Sequence, residues 1–130
     1  MKTRLTYLAV VPFLCGLLLS SEVHGTTFTE DGIITNRDSH YFVNVEGNAT
    51  VHMYGGVVEN ARVVDSASLY LHDGFLAASY ERPSRTCYIE DKGKYYQYGG
   101  KNYAIRLTET AEAYIYGGIV YSQHDKNHIR

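Results

Sequence analysis

Apolar and polar residues exchange at every second position in three stretches of this chain, NVEGNATVHMY (44–54), ASLYLH (67–72) and AEAYIY (111–116). Such alternation predicts short strands with one buried face, and the 3.6-residue recurrence of an amphipathic helix is hard to find anywhere beyond residue 25. Each stretch opens on a small residue and closes on a glycine-containing turn followed by two apolar residues: NATVHMYGGVV (48–58), SASLYLHDGFL (66–76) and TAEAYIYGGIV (110–120). Self-similarity at a period near 20 residues predicts a solenoid, whose units bury their apolar sides only by stacking on one another.

The turn glycines of these copies are Gly56, Gly74 and Gly118, and two weaker copies at 26–34 and 86–93 add Gly32 and Gly93. The spacings are then 24, 18, 19 and 25 residues. An 18-residue unit is long enough for three short strands, so the expected fold is all-β: a single-stranded parallel β-helix of about four to five short coils. SHYF (39–42), ERPSR (81–85) and KYYQYGGKNY (94–103) are expected as loops on one side of the stack.

Alternation also assigns the faces. Ala49, Val51, Met53, Ala67, Leu69, Leu71, Ala111, Ala113 and Ile115 should point inward, with Cys87 beside Leu69. The outward residues should form two ladders, Phe28–His52–Tyr70–Tyr88–Tyr114 and Glu30–Tyr54–His72–Glu90–Tyr116, with rungs ~4.8 Å apart.

Coils written A-x-V-x-M-Y-G-G-V-V and S-x-L-x-L-x-D-G-F-L resemble the degenerate repeats of bacterial secreted parallel β-helix proteins, the kind found in autotransporter passengers, surface adhesins and pectin-lyase-like domains. The likeness covers residues 26 to about 121. It implies a fold and an exported surface role, while one such fold carries many unrelated activities. No lyase active-site motif is matched residue by residue, so no catalytic residue is carried over.

Export is also expected from the N-terminus, where Lys2 and Arg4 precede an apolar run from Leu5 to Leu19 and small residues Val23 and Gly25 flank a cleavage point. Residues 1–25 therefore read as a signal peptide, 26–121 as the repeat domain and 122–130 as a polar tail, on a protein secreted to the extracellular space or cell surface. The apolar run is shorter than a spanning helix requires, so no membrane span is expected after cleavage. Removing the leader takes the formal charge from −2 to −3, and a mildly acidic domain without a basic stripe argues against nucleic acid. Only Cys87 remains in the mature chain, so no internal disulfide can form.

An outward wall of His52, Tyr54, Tyr70, His72, Tyr88, Tyr114 and Tyr116 is the candidate ligand-binding surface. Tyrosine offers an apolar face and a hydroxyl at low entropic cost, which suits a glycan or a surface protein, and Tyr70 and Tyr114 are the expected anchors. Two other readings compete: stacked rings that only stabilise the ladder of a structural stub assembling through its coil ends, and a polysaccharide-active enzyme. No metal site is assigned, because His72, Glu90, His52 and Asp73 lack any short HxH or HxxxH spacing. No catalytic pair is assigned either, since two rungs intervene between Glu30 and Glu90 and Asp31, Asp73 and Asp91 occupy turn positions. No cofactor is expected. Asn48-Ala49-Thr50 has the form of a glycosylation acceptor but reads as a turn entering a strand.

Overall fold

The computed structural model describes residues 25–77, 86–121 and 123–125. The leader apart from Gly25, Cys15 within it, the ERPSR segment and the last five residues lie outside the described residues. The described chain is all-β and winds as a parallel β-solenoid of about five turns.

The strands are β1 Gly25–Phe28, β2 Gly32–Ile34, β3 Ser39–Val45, β4 Thr50–Met53, β5 Val57–Val63, β6 Ser68–Leu71, β7 Phe75–Leu76 and β8 Cys87–Ile89. They continue as β9 Lys94–Gln97, β10 Lys101–Asn102, β11 Ile105–Leu107, β12 Glu112–Ile115, β13 Ile119–Val120 and β14 Gln123–Asp125. Two sheets line the coil. Sheet I stacks β2, β4, β6, β9 and β12 in that order, and sheet II holds the other nine strands. All pairings are parallel, because every coil returns to the same side of the one before it. In the early coils the sheet II segment is one seven-residue strand, whereas β5 pairs on its far side with both β7 and β8.

Register reveals a repeat stricter than the sequence spacing suggested. Val57 faces Phe75, Phe75 faces Lys101 and Lys101 faces Ile119, so successive coils advance by 18, 26 and 18 residues. The single long step carries eight additional residues, entering between Leu76 and Cys87.

Two corners are fixed by backbone geometry. Leaving sheet I, the chain turns through Gly56, Gly74, Gly100 and Gly118, all at positive φ. A side chain is excluded at Gly74 twice over: φ is +105°, and a Cβ would lie 2.8 Å from the Gly55 carbonyl carbon and the Gly56 oxygen. Entering sheet I, the left-handed residues are Gly47, Asp65, Asp91 and Glu109. Asp tolerates this conformation and binds locally, and here it also ties coils together. The Gly47 N–H donates to Asp65 Oδ2 at 2.9 Å, and the Asp65 N–H donates to Asp91 Oδ2 at 3.3 Å.

The interior is a continuous apolar column of Val, Leu, Ile, Ala and Met from both sheets. Ala49, Val51, Met53, Ala67, Leu69, Leu71, Ala111 and Ala113 are buried as the alternation predicts, and Ile115 is half-buried. Cys87 also points inward, but in sheet II between Ala61 and Ile105 rather than beside Leu69. The residue facing Leu69 on the next coil is Tyr95, fully enclosed, with Ala113 beyond it making room for the ring. Its hydroxyl donates to Gln97 Oε1 at 2.7 Å, and Gln97 Nε2 donates to the Ile119 carbonyl at 3.2 Å. This polar chain satisfies groups that would otherwise be stranded in the core.

Three expectations need correction. SHYF lies within β3, and KYYQYGGKNY forms β9, the glycine corner and β10, so both are rungs of the stack rather than loops. The polar tail also joins the stack in part, since β14 within it pairs in parallel with β11.

Candidate functional site

The outward face of sheet I gathers most of the aromatic residues singled out above. Because β4, β6, β9 and β12 are in register, His52, Tyr70, Tyr96 and Tyr114 form one column. Tyr54, His72, Tyr98 and Tyr116, one position beyond those strands, form a second. Successive centroids are 4.5, 4.4 and 5.2 Å apart in the first column. In the second they are 4.6, 5.6 and 5.0 Å apart. Neighbouring planes within the columns diverge by 15° or less.

The predicted ladders are therefore right at His52, Tyr70 and Tyr114 and at Tyr54, His72 and Tyr116, and wrong at the other rungs. Ile33, not Phe28, faces His52. Tyr96 and Tyr98 take the rungs expected of Tyr88 and Glu90. Tyr88 lies in sheet II between Arg62 and Arg106, and Glu90 accepts from Arg62 Nε at 3.0 Å. His72 and Glu90 thus belong to different faces and cannot share an ion. Among the described residues no cluster of three or more His, Cys, Asp and Glu side chains could hold a metal.

Stacking determines what the face offers. Partners are one coil apart, so each ring turns its flat faces along the solenoid axis onto its neighbours and its edge toward solvent. The first column is half-buried, while Tyr54, Tyr98 and Tyr116 in the second are 52%, 50% and 64% exposed. The expected anchors Tyr70 and Tyr114 are consequently the less accessible rings.

Burial and neighbouring groups shift the titration of several of these rings. Burial, and then the neighbouring phenol of Tyr96, raises the Tyr70 pKa, and burial followed by Glu112 raises that of Tyr96. Burial, and then the charge of His52, lowers the His72 pKa below 6.5, so its imidazole is neutral at physiological pH. His52 Nδ1 and His72 Nε2 are 2.9 Å apart, a hydrogen bond that needs one protonated and one bare nitrogen. What the columns turn outward is a run of hydroxyl and imidazole edges, flanked on the same face by Lys94 and Glu112.

At the N-terminal end of the second column the pattern breaks. Tyr54 stacks on His72, but the first coil offers Thr35 rather than a ring in register with it, and Asn36 follows with its Cβ against Gly55. A cleft of about 350 Å³ opens at this corner, lined by Asn36, Tyr54, Val57, Asp73, Phe75 and the turn glycines.

Cys87 is fully enclosed, and burial pushes its thiol up to about 12, against a smaller opposing effect of the Asn102 side chain. A thiol that stays protonated and unreachable is no nucleophile. The remaining carboxylates of interest are structural: Asp31 Oδ1 accepts the Thr50 N–H at 2.8 Å and Asp73 Oδ1 accepts the Gly74 N–H at 2.8 Å.

A comparison of the chain with protein-family models, curated proteins and solved structures finds no match.

Proposed function

We propose that this chain is the solenoid module of an exported bacterial surface protein, of the autotransporter-passenger, adhesin or pectin-lyase-like kind, and that it binds a glycan or surface protein through the Tyr/His face of sheet I. The observation that carries this reading is the pair of registered ring columns on the outward face of one sheet. A run of hydroxyl edges at a spacing set by the strands suits an extended partner with its own regular repeat, engaged edge-on by many weak contacts. The leader pattern at residues 1–25 supports export.

Immobilised glycan and surface-protein arrays test the proposal. The wild type should bind at least one ligand, and Tyr98→Ser with Tyr116→Ser should weaken that binding tenfold or more while lowering Tm by only a few degrees. A wild type that binds nothing, with the double variant clearly destabilised, would transfer support to the second reading, a structural repeat that stacks on itself or on a larger partner. The observation favouring that alternative is the ring geometry itself, since the flat faces are turned on one another.

A further inference from the structure

The corner cleft is walled by two exposed aromatic rings, Tyr54 of the second column and Phe75 of the neighbouring sheet. Tyr54 has one face closed by His72 of the next coil, and Phe75 stands between Val57 and Lys101, whose Nζ lies 5.6 Å from the ring centroid. Both rings line the same cleft with side chains 52% and 41% exposed.

The polar groups around these rings are few and fixed. Asn36 is exposed at the edge with an amide that both donates and accepts. Asp73 is held by its own bond to the Gly74 N–H at 2.8 Å. The floor is backbone at Gly55, Gly56 and Gly74, where no side chain intervenes between a ligand and the peptide groups.

We propose that this corner is a saccharide subsite: a pyranose lays its C–H face against Tyr54, beside Val57 and Phe75, while its hydroxyls bond Asn36, Asp73 and the glycine backbone. A cleft of about 350 Å³ matches one or two sugar units, and apolar walls with a few oriented polar groups are what a small-ligand site requires. The inference rests on the binding reading above and gives it a substrate class: the ladder supplies extended edge contact and the corner supplies a cleft in which a sugar ring can stack. An open site of this size binds weakly, with a dissociation constant on the order of millimolar for a single sugar.

The experiment titrates the purified ¹⁵N-labelled protein with methyl glycosides of glucose, galactose, mannose and rhamnose and follows backbone amide shifts. At least one glycoside should move the amides of Asn36, Gly55, Gly56 and Phe75. Asn36→Ala and Tyr54→Ser should each weaken that binding at least fivefold, and Arg106→Ala, on sheet II, should leave it unchanged. Asn36→Ala touches no stacked ring, so it keeps the test valid if Tyr54→Ser proves unstable. Shifts confined to Tyr98 and Tyr116, wild-type affinity in both cleft variants, or no response to any glycoside would each overturn the subsite. A macromolecular partner found on the arrays and lost with Tyr98 and Tyr116 would still stand in those cases, so the two proposals fail separately.

Discussion

The buried pair Tyr95 and Gln97 gives the sharpest test of how the fourth coil is held. Both side chains are fully enclosed, and the Tyr95 hydroxyl donates to Gln97 Oε1 at 2.7 Å. Tyr95→Phe leaves that oxygen buried without a donor, which costs about 1–3 kcal/mol. Gln97→Leu takes away the acceptor of the tyrosine hydroxyl, leaving it only the Asn102 side chain, and frees the Ile119 carbonyl, with a similar cost of about 1–3 kcal/mol. Independent effects would sum to about 2–6 kcal/mol in the double variant. The structure instead requires strong coupling, because the double variant removes donor and acceptor together. The introduced leucine side chain then sits between Leu71 and Ile115, and the introduced phenyl ring between Leu69 and Ala113, with the buried Asn102 amide the remaining polar group near the ring. The loss should be about 1 kcal/mol, leaving the double variant more stable than the better single variant or equal to it. Urea unfolding followed by far-UV circular dichroism measures all four corners of the cycle, and each 1 kcal/mol should appear as about 4–8 °C in Tm for a domain of this size. Additivity within about 0.5 kcal/mol would show that the two side chains do not depend on each other, and the account of the polar chain would fail.

Three further outcomes are expected. Leu69→Asp should abolish folding, since it buries an unpaired charge between Val51 and Tyr95, whereas Ser68→Asp, on the half-buried outer face, should fold; equal melting temperatures would refute the register. Gly74→Ala should be clearly more destabilising than Gly47→Ala, because both have positive φ but only Gly74 has neighbouring backbone within 3 Å of the added methyl; thermal melts that rank them the other way contradict the corner geometry. Because the His72 pKa is lowered by burial and then by His52, the unfolded chain takes up a proton there first as pH falls; stability should decline from about pH 6.5 downward and be unaffected above neutrality, and His72→Gln should flatten that decline in denaturation series across pH.

Much of the fold was legible because period-2 alternation survives wherever the inward residues are Ala, Val, Leu or Met. It failed at Lys94–Gln97, where the inward pair is Tyr95 and Gln97 and no apolar stripe shows. Gly93 then drew the alignment to residues 86–93, although it continues the inward alanine row of Ala49, Ala67 and Ala111: Lys94 N–H donates to the Ala67 carbonyl and Glu112 N–H to that of Gly93. The missed signal was the tripeptide YGG, present at 54–56, 98–100 and 116–118. Aligning on it yields the 18-residue step and places Tyr96 and Tyr98 in the columns. In the first coil Gly32 was mistaken for a corner glycine. It is a strand residue opposite Val51, and its missing side chain leaves room for the Phe28 ring. The corner cleft could not be read from the sequence, because it depends on which ring faces remain uncovered after stacking.

The one long coil shows how tolerant this architecture is of added length. β5 binds β7 through Val57 and Val58 and β8 through Ala61 to Val63, so the two ends of the eight-residue excess are anchored independently to one strand. The following coil regains the 18-residue step without any shift in register. Loop closure costs rise only slowly with length, roughly 0.6 kcal/mol per doubling. The junction between Leu76 and Cys87 is therefore a natural port for foreign sequence: a peptide epitope or reporter spliced there would project from the solenoid wall, leaving the Tyr/His face on the other sheet free to work.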